Sequence, residues 1–178
     1  MATYNNNRRN DRGRQDEVEK QFEERVVSVD RVARVVKGGR RFRFRALVVI
    51  GDKKGQVGVG IAKGSDVATA VAKAVDVAKK RMIKVNLYKE TIPHDVQTRL
   101  AGADVLIKPA SAGTGIIAGG VARTVLELAG IRNALSKSLG SSNKVNIAYA
   151  TLSALASLEP AKNWVTRPLL DKKAPAKK

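Results

Sequence analysis

Two short stretches concentrate groups able to hold an anion. In the first, Gly113, Gly115 and Ala118 spell G-x-G-x-x-A. An apolar run (Val105, Leu106, Ile107) precedes them, and a helix-like stretch follows with Val121, Val125 and Leu128 at i, i+4 and i+7. Strand, glycine loop and helix form the context of a nucleotide-binding fingerprint. In the second stretch, "KGGRRFRFRALVV", Arg41, Arg43 and Arg45 alternate with Phe42, Phe44 and Ala46. Alternate residues of a strand share a face, so three guanidinium groups stand in a row about 7 Å apart. Such a row repels itself unless anions compensate it. An arginine fork matches a phosphate bidentately.

The nucleotide reading lacks parts. A dinucleotide-binding loop wants an acid about 20 residues on, to hold ribose. No Asp or Glu lies between Glu127 and Glu159. The G-K-[ST] of a phosphate-binding ATPase loop is absent. From 99 to 158 the only acids are Asp104 and Glu127, which supports no carboxylate pair for Mg²⁺. The backbone feature survives: amides of a glycine loop that opens a helix can bind an anion. That places Ser111, Gly113, Thr114 and Gly115 among the candidates, with tight packing of the loop on the sheet as the equal alternative. "SLGSSNK" is a similar spot, where Ser141, Ser142 and Lys144 precede the last helix. His94 is the only His and there is no Cys, which excludes multi-His and thiolate zinc sites. Beside Pro93 in "TIPHDV", His94 reads as a turn residue. No catalytic residue, metal or cofactor is expected.

The charge says what the anion is. Lys and Arg number 34 against 16 Asp and Glu, a net charge of +18 over 178 residues. Such an excess favours association with polyanions. It is uneven: net −1 over 1–24, +11 over 25–98, +3 over 99–160 and +5 over 161–178. The longest uncharged runs, 109–122 and 145–158, have 14 residues each and are too short to span a bilayer. The Asn/Arg-rich start is no secretory signal. A soluble cytoplasmic protein with no membrane partner is expected.

The elements that carry these groups read as α+β, in two small domains. A disordered tail at 1–24, a first domain at 25–88, a second at 89–160 and a basic tail at 161–178 are expected, with the join near 88–92. In the first domain three strands precede a helix. Lys37–Gly39 is the first turn and "GDKKG" (Gly51–Gly55) the second. Phe42, Phe44, Ala46, Val48 and Ile50 point into the core. On the opposite face Leu47 and Val49 follow the three arginines, so the basic row occupies only the end nearest Lys37–Arg40. Lys37, Gly38, Gly39, Arg40, Arg41, Arg43 and Arg45 form the main phosphate-binding candidate, with Lys53, Lys54 and Lys63 in turns of the same unit. The helix starts at Ser65 as N-cap and carries a stripe of Val67, Ala70, Val71, Ala74, Val75, Ala78 and Met82. In the second domain strand-like runs fall at 84–88, 91–98 and 103–109. Helices fall at about 119–129, closed by Gly130, and at about 143–158. The last presents Val145, Ala148, Tyr149, Leu152, Leu155 and Ala156. With Phe42 and Phe44 in the core, few aromatics remain for base stacking. Shape and backbone recognition of structured RNA fits better. A small-molecule kinase using Gly113–Gly120 and a free-standing RNA chaperone are the competing classes.

Longer stretches resemble one family. "VARVVKGGRRFRFRALVVIGDKKGQVGVGIAKG", "AVAKAVDVAKKRMIKV", "TIPHDV", "KPASAGTGIIAGGVARTVLELAGI" and "LSKSLGSSNKVNIAYATLSAL" run in order over about 26–155. In order and spacing they are similar to the S-five family of the bacterial small ribosomal subunit. The resemblance implies a double-stranded-RNA-binding-like β-β-β-α first domain and a β-α-β-type two-layer second domain. It implies contact of both with 16S ribosomal RNA, and ribosomal proteins S-four and S-eight as neighbours. It also implies a place near the decoding region and the mRNA entry, and a part in assembly and translational accuracy. The loop at Lys37–Arg41 matches one near the spectinomycin-binding region. The second-domain fold is shared with small-molecule kinases, which accounts for the glycine loop. Two departures stand out: Ala68 in "DVATAV" where Pro is usual, and Lys144 in "GSSNKVN" where Pro is usual.

Overall fold

A computed structural model describes residues 22–160 of the chain. The expected tails lie outside those residues, apart from 22–24. The valine-rich chain Glu23–Val36 forms β1, which therefore starts two residues before the expected domain boundary. Antiparallel to it runs β2, Gly39–Gly51, and β3, Gln56–Gly64, pairs with the far side of β2. After the helix α1, Val67–Lys80, the two-residue β4, Ile83–Lys84, completes a sheet of order β1-β2-β3-β4.

Composition explains how α1 lies on this sheet. On the face that α1 covers, β3 offers Gly58, Gly60 and Gly64. A Cβ on Gly60 would stand 2.0 Å from the Ala74 carbonyl oxygen. The helix answers with buried Ala70, Ala74, Val75 and Ala78 against Ala46, Val48 and Ile50. Small residues on both sides bring the backbones together. The N-cap is Asp66, not the expected Ser65, and its N–H donates to Thr69 Oγ1 at 3.2 Å. Val67 leaves the expected stripe and is exposed.

The second sheet has order β5-β6-β8-β7. Its strands are β5 (Val96–Leu100), β6 (Ala103–Pro109), β7 (Ile116–Ile117) and β8 (Ala134–Ser138). β7 and β8 are parallel, joined through the helix α2, Gly120–Ala129. The helix α3, Lys144–Ala156, follows β8. Neither β7 nor β8 follows from hydropathy, because "II" is too short and "ALSKS" too polar to read as strands. The run expected at 91–98 narrows to a strand from Val96, and the one at 84–88 keeps only Lys84 in β4, with Tyr88 bridging to Thr91. Gly130 closes α2 as expected, at φ 88°. On α3 the buried set is Ala148, Ala150, Thr151, Ala154 and Leu155, wider than a single stripe, because α3 packs on β5 and β6 and also reaches β3 and β4.

One core joins the two sheets. Leu47 and Val49 of β2, with Val57 and Val59 of β3, pack with Val125, Leu126 and Leu128 of α2 and with Leu155 of α3. The face that begins with arginines thus becomes apolar where the second domain covers it. Burial of this apolar area stabilises at roughly 25 cal/mol per Å² removed from water.

Candidate nucleic-acid interface

Beyond Phe44, β2 has only one neighbour. β3 pairs with Phe44–Gly51, whereas β1 pairs on to the tip through Val32↔Arg43, Ala33↔Phe42, Arg34↔Arg41, Val35↔Arg40 and Val36↔Gly39. The result is a two-stranded ribbon about 17 Å long at the usual rise of a strand. Lys37 and Gly38 turn its tip, with Gly38 at φ 93° and Gly39 at φ 145°, conformations that a side chain would strain.

The register decides which side chains share a face. Arg41, Arg43 and Arg45 stand in one row, with Arg34 directly opposite Arg41 and Asp30 directly opposite Arg45. Lys63 of β3 lies across from Arg45 on the other side. Arg34, Lys37, Arg41, Arg43 and Lys63 line a concavity of about 520 Å³, with Val32 and Val36 as its apolar part. Like charges directly opposite on a sheet are destabilising. None of these five cations has an acidic partner among the described residues. Arg45 differs: its Nη2 donates to Asp30 Oδ2 at 2.8 Å. Arg40, paired with Val35, belongs to the opposite face with Phe42. Arg34 was missed by sequence reasoning. Counting the pairs back from the "KGG" turn would have found it.

The expectation that Phe42 is buried is corrected. Phe44 packs against the α1 cluster, but Phe42 is 49% exposed, and the Arg31 guanidinium carbon sits 3.8 Å from its ring centroid. The core ends where α1 ends, one pleat before Phe42.

The other turn of β2 has a different environment. Asp52 Oδ1 accepts from the Lys54 and Gln56 N–H groups at 2.7 and 2.8 Å, which shapes the turn. Its backbone then docks on the end of α2: Lys53 N–H donates to the Leu128 carbonyl and Gly55 N–H to the Ala129 carbonyl, both at 3.0 Å. Gly51 and Gly130 allow this approach, since a Cβ on either would stand 2.2 Å from a backbone oxygen of the other domain. Lys53 Nζ pairs with Glu23, and Arg25 pairs with Glu23 and, across the domains, with Glu127. The Lys53 ammonium, reinforced by Arg25, holds the Glu23 carboxyl below the usual carboxylate range. The hydrogen bond to Glu127 raises the Arg25 guanidinium above its usual value. Lys53 and Lys54 therefore sit at the far end of β2 from Lys37, and Lys53 is engaged inside the protein. Lys54 is exposed.

The glycine loop is satisfied internally. Gly113 and Gly115, at φ 90° and 74°, both direct their N–H groups at Asn133 Oδ1, each at 3.1 Å. Asn133 is 5% exposed, its Nδ2 faces Glu90 at 3.4 Å and its carbonyl accepts from Thr91 Oγ1 at 2.6 Å. The amides expected to cradle an anion are held by an asparagine oxygen. Neither glycine is tightly packed, since a Cβ on either would meet nothing within 4 Å; what the structure gives their amides is an internal acceptor. Ser111 and Thr114 remain exposed, their hydroxyls 3.0 Å apart.

Ser141, Ser142 and Lys144 lie at the opposite end of the second sheet. Ser141 N–H donates to the Gly102 carbonyl at 2.7 Å, and Asn143 Oδ1 caps α3 through the Val145 N–H at 3.1 Å. Ser142 and Lys144 are exposed. A cation in the first turn of a helix opposes the helix dipole, and no acid accompanies Lys144 there. His94, expected as a turn residue, also ties its segment to the chain after α3: its Nε2 accepts from the Glu159 N–H at 3.1 Å. The candidate residues thus occupy four separate places: the open ribbon, the docked turn, the glycine loop and the start of α3.

Fold and charge define the class: a two-domain α+β protein with an open cationic ribbon and, among the described residues, no acidic or histidine cluster suited to a metal. Residues 22–86 match the family model described as Ribosomal protein S5, N-terminal domain, and residues 98–167 match that described as Ribosomal protein S5, C-terminal domain. The chain belongs to the ribosomal protein S5 family, whose members are structural, non-enzymatic proteins of the small ribosomal subunit. The kinase reading of the glycine loop is thereby set aside. No helix among the described residues is long and apolar enough to cross a membrane.

Proposed function

We propose that this protein is a structural constituent of the bacterial 30S subunit that binds 16S ribosomal RNA through the β1–β2 ribbon. The observation that carries the reading is the set Arg34, Lys37, Arg41, Arg43 and Lys63, which line one concavity beside a strand pair and have no acidic partner among the described residues. Phosphates would neutralise it, and counterion release would supply most of the affinity. Lys54, Ser111, Thr114, Ser142 and Lys144 are secondary contacts. Ribosomal proteins S-four and S-eight are its neighbours, it stands near the decoding region and the mRNA entry, and it supports assembly and translational accuracy. Its location is the cytoplasm, on the ribosome.

The test is sedimentation of the full chain with 30S particles. An integral constituent, locked into the assembled particle by its fit among folded RNA and neighbouring proteins as well as by charge, stays with it through a high-salt wash. A free-standing RNA chaperone, held by charge alone, is released. Release at moderate salt overturns the proposal.

A further inference from the structure

The ribbon has a second face, and its chemistry differs from the first. Facing away from the cationic row are Arg31, Ala33, Val35, Arg40 and Phe42. Val35 is 77% exposed and Phe42 is half-exposed, at the end of the sheet that α1 does not reach. A large aromatic at the tip of a lone strand pair contributes nothing to the core. Arg31 covers one side of the ring and leaves the rest to solvent.

We infer that Phe42, held under Arg31, is a stacking platform for one unpaired base of the RNA. This rests on the ribbon being the RNA-binding element. A base offers a π-face to the ring and carries its own phosphate to the arginines at the ribbon edge, so one nucleotide satisfies both kinds of group. An apolar protein partner would instead have to desolvate Arg31 and Arg40. A base inside a helix is stacked on its neighbours and cannot reach the ring, so the platform selects an unpaired nucleotide beside a helix. The two faces then divide the work. The row of Arg34, Arg41 and Arg43 follows helix phosphates without regard to sequence, and Phe42 sets where along the helix the ribbon stops.

The probes are two RNAs: a perfect duplex of about 16 base pairs and the same duplex with one bulged 2-aminopurine. The full-chain protein should bind the bulged RNA about five- to a hundredfold more tightly, the range that base–aromatic stacking supplies, and should quench the 2-aminopurine. Phe42→Leu should abolish both the preference and the quench while leaving affinity for the perfect duplex unchanged. Phe42→Tyr, which keeps a ring, should retain both. Equal affinity of the native protein for the two RNAs, or a Phe42→Leu variant that keeps the preference, overturns the stacking platform and leaves the cationic ribbon standing. Failure to bind either RNA overturns the ribbon as well.

Discussion

The two ends of β2 carry turns of similar composition and opposite use. At one end Lys37 and Gly38 turn the chain in the open, beside Arg34, Arg41 and Arg43. At the other, Asp52–Gly55 gives its amides to Leu128 and Ala129 and its Lys53 ammonium to Glu23. Glycine beside lysine is therefore not in itself an anion site. What matters is whether the fold has already consumed the donors. By that measure the glycine loop belongs with the docked turn, since Asn133 occupies its two central amides. The ribbon stands apart because five cations there have no acidic partner among the described residues.

The largest effect expected from this contrast is on RNA affinity. Replacing Arg34, Arg41 and Arg43 together with Gln should lower the slope of log K against log salt by about three. Affinity for 16S RNA should fall on the order of a hundredfold at physiological salt. Stability should move the other way. Arg34 and Arg41 face each other across the strands, and relieving such a pair stabilises by about 0.2–1 kcal/mol. Filter binding over a salt series and denaturant unfolding of the same samples read both changes. A variant that lost affinity by unfolding would break the contrast, as would one that kept its slope.

The second effect falls on stability alone. Asn133→Ala removes the acceptor from two loop amides, each such bond contributing a net of about 0.5–1.5 kcal/mol. Denaturant unfolding should show a loss of that size, while the salt slope for RNA stays that of the native protein. A changed slope would mean that the glycine loop also meets phosphate, and the contrast would soften.

Much of this architecture was legible in the sequence, and the gaps have a common cause. Alternation along "RRFRFRALVV" assigned the arginines to one face, and the Ala/Val period of α1 and Gly130 after α2 located both helices. Alternation also assigned Phe42 to the core face correctly. How far α1 extends along that face is a tertiary matter, and it leaves Phe42 outside. β7 and β8 are strands because a sheet receives them, not because their residues prefer the state. Asn133 is a single polar residue 18 positions from Gly115, and no local pattern marks it. The Asp30–Arg45 pair needed the register, which the short "KGG" turn in principle supplies.

The smallest effect tests the docked end by pH. Glu23 is held below the usual carboxylate range first by its hydrogen bond to Lys53, with Arg25 adding to it. An unfolded glutamate titrates near about 4.3. Above that value both states are ionised and the folded state has the full benefit of the pair. As pH falls below it, the unfolded chain takes up the proton first, so the contribution shrinks and is gone once pH passes the lowered folded value. Glu23 is partly exposed, so water and salt screen the pair and the effect is slight. Thermal midpoints of the native protein and of Glu23→Gln, followed downward from neutral pH, should differ at neutral pH and converge in acid. High salt should shrink the difference. Parallel curves at all pH values would mean that the Glu23–Lys53 contact adds nothing to docking, and that backbone bonds to Leu128 and Ala129 hold this end of β2 alone.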